Sequence, residues 1–263
     1  MNAVTLTPLD IAVAASLVVV DAAISMALGL RLHGRLAWAS ARMVVQLAAV
    51  GVLLRWVLRL HDPWVTLLVV VAMALIAARE IAARPERRLK GLGGLAISAP
   101  SVALATVATA GLALTTAIRP QPWWDARYAI PLVGIVLGSV LNAGSLALDT
   151  LLEGAADGRA GIEAQLALGA SFAQATRPLL RRAVRRGLLP VVNQMSAAGL
   201  ITLPGIMTGQ IMAGMDPLEA VKYQILLMFL LAGASGLAAL SIAILALRRL
   251  TDERQRLRLD RLA

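Results

Sequence analysis

Asp21, Arg42 and Gln46 lie inside two long apolar stretches of the chain. Polar side chains in such stretches are costly in a membrane unless they are paired or face water. At ~1.5 Å of rise per helical residue, all three fall roughly 9–15 Å from the same end of their helices. Arg42 and Gln46 are four residues apart and so share a helix face. The spacing predicts an Asp21–Arg42 ion pair with Gln46 adjacent. Such a pair acts either as a static strut between two helices or as part of a gate, and Asp21 could also serve as the carboxylate of an ion-coupled relay.

Two further blocks carry polar groups within apolar sequence. In PLVGIVLGSVLNAGSLALD, residues Gly134, Gly138, Asn142, Ser145 and Asp149 recur every three or four positions and form one small, polar helix stripe. Glycines at that spacing let backbones approach closely, and Asn142 can bond across the contact. In GLITLPGIMTGQIMAGMDP, Pro204 removes a helix donor and Gly205 resists bending little. A break at 203–205 is predicted, with the segment facing the interior, because irregular backbone at membrane depth must be covered by protein or water. Asn193, Thr208 and Gln210, with Asn142, are then the candidates to line or gate a route. Met207, Met212 and Met215 follow in the same segment. Thioethers suit soft metals but more commonly fill gaps. His33 and His61 lie in opposite loops, cysteine is absent, and no metal is assigned to the chain. The hydroxyls of Ser98, Ser101, Thr106, Thr109, Thr115 and Thr116 are weaker pathway candidates, since hydroxyls often bond their own helix carbonyls.

The elements that hold these residues follow from composition. Hydrophobic residues make up 59% of 263 positions and charged residues 15%. Runs of ~20 apolar residues are long enough to cross a bilayer. An all-α polytopic membrane protein is expected: one transmembrane domain, 1–263, with seven spans near 8–30, 36–60, 63–83, 94–118, 128–152, 188–213 and 217–247. The start lacks a basic n-region, so the first run reads as a retained helix. Most of the 25 basic residues fall in alternate loops and in the basic tail 248–263, which predicts an N-out, C-in orientation. Trp56, Trp64, Trp123 and Trp124 fall at the opposite, outer ends. The net charge of +10 therefore reads as topology and contact with anionic lipid, not nucleic-acid binding. The two lysines, Lys90 and Lys222, lie outside any G-x-x-x-x-G-K-[ST] loop, so the chain holds no phosphate cradle of its own. Lys222 lies near the outer end of the last span, which excludes a retinal Schiff base deep in that helix, and no protease-type constellation appears.

The longest connection, 153–187, is acidic in its first half and basic in its second. Ile162, Leu166, Gly169 and Phe172 recur at about helical spacing. That pattern fits a helix lying on the membrane surface or a helix that docks a soluble partner.

QLALGASFAQATRP and LLPVVNQMSAAGLITLPGIMTGQIMAGMDPLEAVKYQILLMF closely resemble the bacterial FetB-type iron-export ABC permease family, which also contains plant aluminium-sensitivity membrane proteins. ARMVVQL and PLVGIVLGSVLNAGSLAL extend the likeness over most of the chain. The resemblance implies a permease subunit of an inner (plasma) membrane exporter of iron or a related metal, acting in metal homeostasis. It also implies a permease homodimer and a separate subunit that binds ATP and Mg, with no cofactor in this chain. EAQLALG, residues 163–169, resembles the coupling motif of ABC importer permeases, which assigns partner docking to Glu163, Ala164 and Gly169. The importers place their Leu-Pro sooner, whereas here Leu189-Pro190 lies far beyond Gly169, so the importer mechanism is not carried over. The alternative is an ion-coupled secondary transporter using Asp21, which leaves the 153–187 loop unexplained.

Overall fold

The computed structural model describes residues 7–60 and 62–263, so His61 lies outside the described residues. Nine α-helices stand among the described residues. Among the described residues, six helical spans are long and apolar enough to cross a membrane. The chain divides into two compact units, 1–60 and 61–263.

In the first unit, α1 (Pro8–Ala27) packs on α2 (His33–Leu60). α1 begins in a capping box: Thr7 Oγ1 accepts from Asp10 N, and the Asp10 carboxylate accepts from Thr7 N at 2.7 Å. The turn between the helices passes through left-handed Gly29 and Arg31. Ser25 Oγ closes it by accepting from Leu32 N at 2.9 Å. Asp21, Arg42 and Gln46 are exposed on their helices.

The second unit contains α3 (Pro63–Ala83), α4 (Gly93–Leu112), α5 (Ala126–Asp157), α6 (Arg159–Ala167), α7 (Phe172–Ala197), α8 (Gly205–Met212) and α9 (Pro217–Arg249). Helices α3, α5 and α9 each start behind an aspartate. Asp62, Asp125 and Asp216 accept from the N–H two residues on, at 2.7, 2.9 and 2.9 Å. These bonds satisfy donors that have no partner within the helix. α4 continues into a π-helical turn, Ala113–Ile118. There Thr115 and Thr116 bond the carbonyls of Gly111 and Leu112, and deeper in α4 Ser101 and Thr109 bond Ile97 and Ala105.

α5 is the central helix and packs against α3, α4, α7 and α9. Val136, Val140, Leu148 and Leu151 are its buried seam. Its neighbours close in on small residues, as membrane helices do. A methyl group on Gly187 of α7 would lie 2.7 Å from the Ala143 carbonyl of α5 and 2.9 Å from Ala239 Cβ of α9.

Six expected spans correspond to helices with ends shifted by a few residues, the largest shift being the extension of α5 to Asp157. The seventh, 188–213, is not one helix. α7 starts at Phe172, so the basic half of the 153–187 connection is the first part of a continuous helix, not a loop. α7 then ends at Ala197, and α8 restarts at Gly205. The break begins before Pro204, at extended Ala198 and left-handed Gly199, whose N–H donates to Thr202 O at 2.9 Å. Leu200 and Ile201 are 90% and 83% exposed, so the turn does not face the interior of this chain. The tail is also structured. It forms a short 3-10 turn, Leu259–Arg261, and bridges Thr251 to Leu257 and Leu89 to Leu262.

Candidate functional site

A polar furrow runs along α5 where α3, α7 and α9 meet it. Ser139, Asn142, Ser145 and Asp149 supply its oxygens. At its upper part a cavity of about 180 Å³ is bounded by Ser139, Asn142, Gly187, Pro190, Gln194 and Ser235. A second cavity of about 390 Å³ continues from Asn142 and Pro190 past Ser145 to Asp149 and Arg84. Both cavities share Asn142 and Pro190, which makes Asn142 the residue between them. Asn142 to Asp149 spans roughly 10 Å of helix.

Each polar group has a definite setting. Ser139 Oγ and Ser235 Oγ lie 2.8 Å apart and bridge α5 to α9. Asn142 Oδ1 accepts from Arg84 Nη1 at 3.4 Å, a long bond from a residue just past α3. Asp149 Oδ1 accepts from Glu86 N at 3.1 Å and ties the α3–α4 connection to α5. Ser145 Oγ, beside the second cavity, is buried without a hydrogen-bond partner. Pro190 sits inside α7. A proline removes a helix N–H and displaces the carbonyl four residues earlier, which loosens packing where the two cavities join. Amide, hydroxyl and carboxylate oxygens are hard donors that can exchange for the water of a hydrated cation or polar solute.

α6 connects α5 to α7 and packs on both. Ile162 is its buried side chain, while Glu163, Ala164 and Gln165 are exposed. Glu163 pairs with Arg159 at 2.8 Å, four residues earlier on the exposed face. Leu168 is 88% exposed, and Gly169 ends the helix at φ +91, a conformation that favours glycine. The Ile162, Leu166 and Phe172 pattern is the packed side: the first and last are buried and Leu166 lies against the core.

The expected route residues divide. Asn142 lies in the furrow. Asn193 is exposed on α7 and lines neither cavity, whereas its neighbour Gln194 lines the first. Thr208 and Gln210 are half-buried on α8 and line neither cavity. Thr208 Oγ1 donates to Pro204 O at 3.3 Å, and Gln210 Oε1 is buried without a partner. Met212 and Met215 are exposed and Met207 is half-buried. Among the described residues, no group of three or more His, Cys, Asp or Glu could hold a metal ion. Sequence reasoning missed Arg84, Ser139, Gln194 and Ser235. Only the placement of Ser139 three residues before Asn142 could have flagged one of them.

Membrane-length helices packed around an oxygen-lined furrow define a multi-pass membrane permease. The chain belongs to the family described as Uncharacterised protein family (UPF0014), which matches residues 8–251. It is 40% identical over 87% of its length to UPF0014 membrane protein slr1647 of Synechocystis, covering 88% of that protein. It is 32% identical over 98% of its length to the Probable iron export permease protein FetB of Escherichia coli, covering 97% of that protein. UPF0014 membrane protein STAR2 of Oryza sativa is 35% identical over 86% of this chain and 78% of its own. No solved structure matches the chain.

Proposed function

We propose that the chain is the membrane-spanning subunit of an ABC-type exporter of iron or a related metal ion. The polar furrow from Ser139 to Asp149 on α5, the helix that leads into the exposed helix α6, is the observation that carries this reading. The likeness to an iron export permease supplies the substrate class.

In this reading the protein lies in the inner (plasma) membrane as a homodimer, N-out and C-in, with its arginine-rich end in the cytoplasm. The upper part of α7 and α8 together make the sixth of seven crossings. A separate cytoplasmic subunit binds ATP and Mg and docks on α6 through Glu163, Ala164 and Gly169. Closure of that subunit pushes α6 and tilts α7, which starts four residues after Leu168. Pro190 and Gly187 then shift against α5, and Asn142 leaves Arg84. The guanidinium repels cations while it covers Asn142 and exposes the oxygen ladder when it moves. Asn193, Pro204, Thr208 and Gln210 gate the outer half of the route.

The test is iron efflux from proteoliposomes containing the chain with its ATP-binding subunit. Wild type exports iron with ATP, Asn142→Leu retains assembly but loses export, and Glu163→Lys loses the ATP-binding subunit on purification. ATP-independent efflux that disappears in Asp21→Asn would replace this reading with ion-coupled secondary transport.

A further inference from the structure

α9 ends at Arg249, and the fully buried Leu250 anchors the chain that follows. Residues 251–263 then turn back across the end of the second unit. Asp252 organises the turn, its carboxylate accepting from Arg254 N at 3.1 Å, Arg256 N at 2.9 Å and Arg256 Nε at 2.9 Å. Arg258 N closes the turn on Leu250 O at 2.8 Å. Gln255 sits at the tip with φ +56, a conformation uncommon for a residue with a side chain. From there its Oε1 accepts from Phe172 N at 2.8 Å, 83 residues away in sequence. Phe172 is the first residue of α7, directly after the turn that leaves α6. At its far end the segment is fixed to the α3–α4 connection. Lys90 N donates to Arg261 O at 2.9 Å, Ala263 N to Arg88 O at 2.7 Å, and Lys90 Nζ to Asp260 O at 2.9 Å.

Local burial gives this connection its importance. α6 holds a single buried side chain, Ile162, and has no side-chain cap at its start. Its orientation depends on how the α6–α7 turn is held. Gln255 holds that turn to a segment whose other end is tied to the loop that also fixes Asp149 through Glu86 N. The exposed Arg254 and Arg256 line a concavity of about 660 Å³ formed by the same segment.

We propose that residues 251–263 are a strap that holds α6 and the α3–α4 connection as one docking face for the cytoplasmic ATP-binding subunit, with Gln255 as its positioning residue. The proposal rests on the docking role of α6 given above. It assigns the tail a mechanical task in place of simple attraction to anionic lipid. A soluble partner seated on α6 meets the strap's arginines, so its facing rim is acidic.

The experiment uses the full chain in detergent, alone and with the ATP-binding subunit, as wild type, Gln255→Ala and Gln255→Glu. A carboxylate at 255 still accepts from Phe172 N, and a negative charge at a helix start is favourable. Loss of one hydrogen bond predicts about fivefold faster hydrogen exchange at the Phe172 amide in Gln255→Ala, restored in Gln255→Glu. Recovery of the ATP-binding subunit falls in Gln255→Ala and returns in Gln255→Glu. Unchanged exchange at Phe172, or faster exchange with undiminished recovery, overturns the strap as a docking element. If wild type itself recovers no ATP-binding subunit, the docking role of α6 and the strap's part in it are both overturned. The exchange data then report only whether the hydrogen bond forms.

Discussion

Gly187→Ala tests the packing that closes the furrow. Built on the backbone, the new methyl lies 2.7 Å from the Ala143 carbonyl oxygen, 2.9 Å from Ala239 Cβ and 3.2 Å from Ala147 Cβ. Unstrained carbon contacts lie at ~3.5–4.0 Å. None of the three atoms can swing aside, because one is backbone and two are alanine methyls. Helices α5, α7 and α9 must therefore separate. Overpacking of this kind costs ~1–3 kcal/mol, against up to ~1 kcal/mol gained by replacing a helical glycine with alanine. The expected net effect is a loss of up to ~2 kcal/mol, which lowers the melting temperature by ~2–4 °C per kcal/mol. The assay compares apparent melting temperatures in one detergent at one scan rate, with Gly138→Ala as the control. Gly138 is also helical, on α5, but a Cβ there meets nothing within 4 Å. That variant is expected to melt at or above wild type. Gly187→Ala melting as high as Gly138→Ala would refute the three-helix contact and the first cavity's wall with it.

Two other outcomes follow from the geometry. Ser139→Ala and Ser235→Ala should each destabilise by ~1 kcal/mol, since each removes the hydroxyl–hydroxyl bond between α5 and α9. The double variant should then cost less than the sum by ~0.5 kcal/mol or more, and strict additivity in unfolding would show that the 2.8 Å bridge is not formed. The strap should be insensitive to pH above ordinary carboxylate values. Hydrogen bonding from the Arg258 side chain holds Asp260 down to about 2, and the Arg256 backbone N–H holds Asp252 below 3.8. Both folded values are depressed, so their stabilisation is present above about pH 3.8 and is lost as pH falls toward 2. Exchange protection of residues 251–263 should stay constant from pH 8 to about 5 and decline below about pH 4; release of the segment by pH 5 would contradict these carboxylate contacts.

Much of the helical layout was legible because hydropathy is a local property. Each span from α3 to α5, and α9, could be found within a few residues from apolar length alone. The aspartates at 62, 125 and 216 then set where α3, α5 and α9 begin. The break in LITLPGI was also legible in kind, but its start was not. Gly199 and Ala198 open the turn ahead of Pro204, and a glycine's left-handed conformation depends on the closing bond to Thr202 O. The basic half of the 153–187 connection was misread as loop because its arginines lower hydropathy without preventing a helix. α7 is held there by packing on α5 and α9, with Thr176, Ala183 and Gly187 buried, not by apolar length.

By itself, the sequence determined a helical membrane protein, the polar stripe on α5 and the helix at EAQLALG. These depend on transfer free energies and spacings that act within one segment. The tertiary structure alone decided which polar groups meet. Arg84 reaches Asn142 across 58 residues, Ser139 reaches Ser235 across 96, and Gln255 reaches Phe172 across 83. It also chose Gln194 over Asn193 for the cavity. Adjacent residues on a helix differ by about 100° in direction, and only the neighbouring helices fix which direction is inward.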